Sequence, residues 1–332
     1  MKRFADRNVL VTGAASGIGA ATAVRLAAEG ATVACVDVDT VGLTAMVAAI
    51  AASGDRAAPY PLDLLDRDAV RPVVETIAAD LGGLDAVCNV AGIGTWGFDA
   101  DVTLEQWDRI LGVNLIGTWL VCQAALPFLV ESKGAIVNTA STAATDATPY
   151  QAPYAASKGG VVALTRTLAV NHAAERVRVN AVAPGPIDTP IVGSFLPPDG
   201  ADMDLITHTI LPFGEIGRPE EVAAAIAFLA SDDASHVNGH VLKVDGGQAR
   251  LSYFRGRIGG RSTMANTSSR ISACSVASSR RGLRPYPTNS PDPSMRLVIA
   301  AARRNASPRD LAEVERLMRD SRWRPRQRAV GS

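Results

Sequence analysis

The sequence predicts a single doubly wound α/β domain: a seven-stranded parallel sheet flanked by helices, plus a basic C-terminal extension. Three observations carry this reading. Seven short apolar runs are separated by helix-length segments, a glycine-rich turn joins the first run to the first helix, and the composition changes abruptly after residue 249 of the 332-residue chain. Runs that are apolar at nearly every position suit parallel strands covered on both faces, and right-handed crossovers wind such strands into one sheet.

Element by element, NVLVTG (Asn8–Gly13) is the first strand, followed by a helix over 18–29 and a strand at ATVACVD (Ala31–Asp37). The cycle repeats with a helix over 39–52, a strand over 57–60, a helix over 66–80 and a strand over 85–91. One long helix from Thr103 to Phe128 comes next, then a strand at AIVNTAS, a helix over Pro153–Ala173 and a strand at RVRVNAVAP. A helix over Pro219–Ala230 and a strand at HVLKVD close the domain. The Pro-, Gly- and Asp-rich stretch Gly185–Phe213 is too long for an ordinary connector, and about 187–212 reads as a substrate lid.

The formal net charge of zero conceals two opposite halves. Residues 1–249 hold 15 Lys and Arg against 28 Asp and Glu, a balance of −13; residues 250–332 hold 18 Arg, no Lys and 5 acids, a balance of +13. Low apolar density and like-charge repulsion favour disorder across much of the extension. It reads as an accessory or aberrant tail, resembling a read-through or shifted-frame extension, rather than as a nucleic-acid binder, because no recognition fold or aromatic platform accompanies the charge. Cys35, Cys88, Cys122 and Cys274 form no CxxC or Cys/His cluster, so neither metal nor disulfide roles are expected. The N-terminus lacks a signal-peptide core and no run of about 18 apolar residues occurs, so a cytoplasmic protein without a membrane span is expected.

TGAASGIG (Thr12–Gly19) lies between the first strand and the first helix. Its glycines permit a tight turn and close approach, and a helix N-terminus offers N–H groups to a pyrophosphate. Gly13, Ser16, Gly17, Ile18 and Gly19 are therefore candidate cofactor contacts in a Rossmann-like arrangement. Asp37 ends the second strand, 18 residues past Gly19, where a carboxylate accepts from ribose hydroxyls and repels a 2′-phosphate. NAD is expected over NADP. Asp63 and Leu64 follow the third strand, and Asn89, Ala91 and Gly92 follow the fourth; at the carboxyl ends of parallel strands they can line the same crevice.

In PYQAPYAASKGG, Pro153 suits the first turn of a helix, and Tyr154 and Lys158 then stand one turn apart on one face. An ammonium there can favour the phenolate of a group whose ordinary pKa is about 10. Tyr150 is eight residues from Lys158, about 12 Å along an ideal helix, and precedes the proline, so Tyr154 is the catalytic candidate. Ser141 and Asn114 can join it: two hydroxyls can polarise one carbonyl, and an amide can donate and accept within one water network. Singly, Ser141 also fits a strand-end cap and Asn114 a packing bond.

TGAASGIG, NVAG, Asn114, Ser141, YAASK, PGPIDT and VDGG occur in one order, and in this set the chain closely resembles the short-chain dehydrogenase/reductase family over about Lys2–Gln248. NVAG departs mildly from the more usual NNAG. The resemblance implies that Tyr154 transfers the proton and that Ser141 holds the substrate oxygen. It further implies that Lys158 binds the nicotinamide ribose and lowers the tyrosine pKa, while Asn114 holds a relay water. Pro184, Gly185, Ile187 and Thr189 would hold the carboxamide side of NAD, and a homotetramer or homodimer is implied.

Trp96, Phe98, Tyr150, Ile191, Phe195, Leu196, Met203 and Ile206 are candidates for an apolar pocket under the lid. They suit a small apolar secondary alcohol or its ketone, such as a hydroxysteroid or cyclic alcohol. The alternatives are a 3-oxoacyl-thioester reductase, which Asp37 disfavours, a noncatalytic NAD sensor, and tail-mediated nucleic-acid binding. No metal is required.

Overall fold

Along the first strand, residue parity decides how the sheet is covered. The structure, a computed structural model, describes residues 2–146, 148–193, 198–202 and 215–248. Strands β1 (Asn8–Thr12), β2 (Thr32–Asp37), β3 (Arg56–Pro61), β4 (Ala86–Asn89), β5 (Ala135–Thr139), β6 (Arg178–Pro184) and β7 (Val241–Val244) are joined by helical crossovers. These helices are α1 (Gly17–Ala28), α2 (Thr40–Ala52), α3 (Arg67–Leu81), α4 (Leu104–Leu111), α5 (Thr118–Ser132), α6 (Ala152–Asn171), α7 (Pro190–Gly193) and α8 (Pro219–Ala230). Val9 and Val11 face one layer with Leu26 of α1, Leu43 of α2 and Ile226 of α8. Leu10 faces the other with Val74 of α3, Leu129 of α5 and Leu168 of α6. Alternate side chains of one strand thus enter two cores, which is why the run must be apolar at every position.

All neighbouring strands are parallel, in the order β3-β2-β1-β4-β5-β6-β7. Strand order reverses between β1 and β4, and the carboxyl ends on either side of that reversal open a crevice. β3 carries Pro59 and Pro61 and stands at the sheet edge, where missing ladder donors are tolerated. Cys35, Cys88 and Cys122 are buried in the strands and in α5, and burial pushes each thiol up to about 12.

The expected helix from Thr103 to Phe128 needs correction. It consists of α4, a wider π-helical turn over Gly112–Gly117, and α5, which continues to Ser132. Thr103 and Gln106 form a capping box at its start. At the wide turn a Cβ on Gly112 would stand 2.7 Å from the Leu65 side chain, and one on Gly117 would stand 2.8 Å from that of Leu64. The glycines let the turn close on the loop after β3, while the extra residue redirects Asn114 inward; such bulges recur at functional sites. Taken together, Leu104–Ser132 (29 residues) has the length and apolarity of a membrane span. Here that apolarity packs α5 onto the sheet through Val121, Ala125 and Leu129.

The described ends of the expected lid meet. Ile187 bridges Gly217, the Asp188 N–H donates to the Gly217 carbonyl at 2.8 Å, and the Gly217 N–H donates to that of Pro186 at 2.9 Å. Phe195, Leu196, Met203 and Ile206 lie outside the described residues, as does the extension over 250–332 with Cys274.

Candidate active site at the carboxyl edge of the sheet

The crevice between β1 and β4 is built largely from backbone. Gly13 has φ +70°, and a Cβ there would stand 2.8 Å from Cα of Ala91. Thr12 Oγ1 accepts the N–H groups of Val90 (3.0 Å) and Ala91 (3.1 Å), so the glycine turn and the NVAG turn are stitched together. Gly19 is packed so closely against the Gly13 carbonyl that no side chain fits. Gly17 has φ +53°, and a Cβ there would lie 3.2 Å from Thr189 Cγ2, which brings the loop after β6 over the turn. Ser16 precedes α1 without a side-chain capping bond, so its hydroxyl leaves the first-turn N–H groups of Gly17, Ile18 and Gly19 uncapped.

These features fit a dinucleotide: glycines where backbone must approach a pyrophosphate, and uncapped N–H groups for its charge. Asp37 borders the turn. Its Oδ2 accepts from Ala15 N at 2.9 Å and its Oδ1 from Asp39 N at 2.9 Å, so the carboxylate fixes the turn while keeping lone pairs for ribose hydroxyls. Asp39 caps α2 by accepting from Val41 N and Gly42 N, adding a second negative charge against a 2′-phosphate.

Asp63 and Leu64 fall at the same edge with their side chains engaged elsewhere. Asp63 accepts from Leu65 N at 2.9 Å, and Leu64 is buried in the core beneath α5. Asn89 likewise turns inward: its amide donates to Asn138 Oδ1 (2.9 Å) and Cys122 Sγ (3.2 Å), and Asn138 donates to Thr165 Oγ1 at 3.0 Å. What Leu64 and Asn89 offer the crevice is main chain. Pro184 ends β6 in the core, Gly185 N donates to the Val244 carbonyl at 3.0 Å, and Ile187 and Thr189 are buried beside the turn.

Across the crevice the polar residues converge. Pro153 stands in the first turn of α6, so Tyr154 and Lys158 share a face, with Lys158 Nζ 5.8 Å from the Tyr154 ring centre. Lys158 is buried and donates to the Thr139 carbonyl at 2.8 Å. Asn114, wholly buried, exchanges two bonds with the backbone of Ile93: Ile93 N to Oδ1 at 2.8 Å and Nδ2 to the carbonyl at 2.9 Å. Its Nδ2 also donates to Ser157 Oγ at 3.1 Å, one residue before the lysine. A Cβ on Gly92 would lie 3.2 Å from Lys158 Nζ and 3.3 Å from Asn114 Oδ1, so the fourth-strand turn forms a cradle over both. The parts that sequence reasoning missed are the Thr139 carbonyl, the Ile93 backbone and Thr12 Oγ1. Two of these are main-chain groups, which no residue type announces.

Ser141 hydrogen-bonds Tyr154, and its Oγ accepts from Ala143 N at 3.1 Å. Burial pushes the Tyr154 phenol above its ordinary value, with the Ser141 bond pulling the other way, and burial lowers Lys158 to about 8. Desolvation outweighs the hydrogen bond, and the downward pull comes from Ser141.

Tyr150 precedes α6 with φ +63°, an uncommon backbone state for an aromatic residue. It packs edge-on to Phe98 at 5.4 Å and tilted to Trp96 at 6.5 Å, its carbonyl accepts from Gly97 N, and its hydroxyl accepts from Asp202 N at 2.9 Å. Ile191 lines a neighbouring cleft of about 310 Å³ with Ile93, Gly94, Thr95, Gln106, Arg109 and Ile110.

Residues 13–249 match a family model described as enoyl-(acyl carrier protein) reductase. The chain is similar to 3-oxoacyl-[acyl-carrier-protein] reductase of Thermotoga maritima, with 40% identity over 74% of this chain and 98% of that protein. It is 43% identical to cis-4-hydroxycyclohexanecarboxylate dehydrogenase of Sinomonas cyclohexanicum, over 74% of this chain and 97% of that one. A crystal structure of 3-ketoacyl-(acyl-carrier-protein) reductase from Brucella melitensis, complexed with NADH, is 34% identical, with a TM-score of 0.68 over 74% of this chain and 99% of that chain.

Proposed function

The chain belongs to the short-chain dehydrogenase/reductase family and is an NAD(P)-dependent oxidoreductase acting on a CH–OH/ketone pair; from that premise we propose that it is an NAD-linked dehydrogenase of cyclic or other apolar secondary alcohols. One observation carries the reading. Ser141, Tyr154, Lys158 and Asn114 meet at the carboxyl edge of a sheet whose reversal point also holds the glycine turn and Asp37. Asp37 and Asp39 support NAD, as does the NADH in the Brucella melitensis relative's crystal structure.

Gly13, Ser16, Gly17, Ile18, Gly19, Asp37 and Thr189 would hold the dinucleotide. When bound, it supplies a nicotinamide ring able to accept or return a hydride. The chain's own residues manage the proton. Ser141 Oγ, fixed by Ala143 N, orients the substrate oxygen toward Tyr154 Oη. Tyr154 Oη takes the hydroxyl proton during alcohol oxidation and returns it during ketone reduction. Lys158 opposes its buried neutral state by bonding to Thr139 O, and as an ammonium it favours the phenolate. Asn114 stands behind the lysine, its carboxamide aligned by Ile93, where it can hold a relay water.

A 3-oxoacyl-thioester reductase is the second reading, supported by the Thermotoga maritima relative. A panel of cyclic alcohols, hydroxysteroids and 3-hydroxyacyl thioesters, each assayed with NAD and NADP, separates the two. Saturable NAD reduction with cyclic alcohols is expected. Efficient turnover of thioesters alone selects the second reading, and NADP reduction with negligible NAD turnover rejects the cofactor assignment.

A further inference from the structure

The cleft of about 310 Å³ beside the active site has an uneven lining. Ile93, Ile110 and Ile191 give it apolar walls, Gln106 and Arg109 bring polar heads, and no carboxylate is among its described lining residues. Among the described lining residues Arg109 is the single charged one, within a domain whose balance is −13. It is exposed and forms no ion pair among the described residues, although Glu105 stands one turn away on α4. Gln106 and Arg109 are three residues apart on that helix, so their side chains share a face.

The cleft begins one residue from Gly92, where a Cβ would lie 3.2 Å from Lys158 Nζ. Its wall residue Ile93 is the one whose backbone exchanges hydrogen bonds of 2.8 and 2.9 Å with Asn114, and Ile191 follows two residues after Thr189. A molecule whose hydroxyl reaches Ser141 and Tyr154 can therefore extend its other end along Ile93 toward α4. A guanidinium is a planar fork that binds a carboxylate through two parallel N–H donors, and a neighbouring primary amide supplies a further donor.

We infer that this cleft is a carboxylate subsite: Arg109, with Gln106, holds the anionic end of an apolar secondary-alcohol carboxylic acid whose hydroxyl is presented to Tyr154. The inference rests on the dehydrogenase reading and narrows its substrate class. Volume agrees, since about 300 Å³ is the lower end for small-molecule pockets and suits one ring with short substituents.

The test uses probes that cannot react, so it is independent of turnover. The full chain is saturated with NADH and titrated calorimetrically with cyclohexanecarboxylate, cyclohexanecarboxamide and cyclohexyl phosphate. The carboxylate should bind about tenfold more tightly than the amide, and added salt should weaken the carboxylate selectively. In Arg109→Gln the carboxylate-to-amide ratio should fall toward one; Arg109→Lys should keep part of it. Equal affinity for carboxylate and amide in the wild-type protein, or an unchanged ratio in Arg109→Gln, overturns the inference. Tighter binding of the phosphate overturns the assignment to a carboxylate. Absence of any heat on adding NADH counts against the dehydrogenase reading, while the carboxylate-to-amide ratio still decides the subsite.

Discussion

On the cofactor side of the crevice the chain meets itself mostly through main chain: Gly13 against Ala91, Gly19 against the Gly13 carbonyl, and two backbone N–H groups on one short side chain, Thr12 Oγ1. On the substrate side the contacts are long side chains from distant segments. Tyr150 meets Trp96 and Phe98 and reaches Asp202 N, while Ile191 and Arg109, 82 residues apart in the chain, line one cleft. Backbone contacts leave little freedom of sequence, because only glycine fits at φ +70° with a neighbour at 2.8 Å. Side-chain contacts can be exchanged residue by residue. One scaffold can thereby keep its cofactor chemistry while its substrate changes.

The largest test of this contrast lies where the two sides touch. Tyr154→Phe should lower kcat by about 10² to 10⁴-fold, the range for a lost general acid–base, with NAD binding measured by fluorescence largely retained. Normal turnover would reject its proton-transfer role.

Lys158 gives a signed prediction of stability against activity. Burial lowers it from 10.5 to about 8, so between those values the unfolded chain holds more protons and stability rises with pH. At pH 7 the full burial penalty applies. Lys158→Met should therefore lose most turnover yet be more stable at pH 7 by roughly 1–3 kcal/mol, part being offset by the lost bond to Thr139 O. The advantage should shrink from pH 8 to 10.5 in chemical denaturation curves. A constant difference across that range would contradict it.

On the backbone-built side, Gly13→Ala should destabilise the fold by about 1–3 kcal/mol and weaken NAD, because both its φ and its neighbour resist a methyl group. Thermal unfolding with and without NAD reads both effects. Asp37→Ser should shift the NAD-to-NADP preference in kcat/KM about tenfold toward NADP, by removing charge beside the ribose site. An unmoved ratio would assign discrimination elsewhere.

The smallest effect is expected on the side-chain-built wall. Tyr150→Phe keeps the ring stacking and loses only the acceptor for Asp202 N, so KM should rise by a few fold, about one hydrogen bond's worth, with kcat nearly intact. A loss of kcat as large as that of Tyr154→Phe would erase the distinction between the two tyrosines.

The sequence alone determined whatever depends on local spacing. Strand and helix order follows from short runs that are apolar at nearly every position, alternating with helix-length segments. Helix α6 starts at a proline, the Tyr154–Lys158 pair lies one turn apart, and the glycine turn needs residues without a Cβ. Only tertiary structure decided what depends on surroundings. A helix expected to be continuous opens into a π turn at Asn114, since its glycines close on Leu64 and Leu65 from another segment. Leu64 and Asn89 lie at the expected edge but send their side chains into the interior. The tyrosine's direction of shift was likewise invisible, because desolvation is set by everything packed around the phenol, whereas a lysine four residues away is written in the chain.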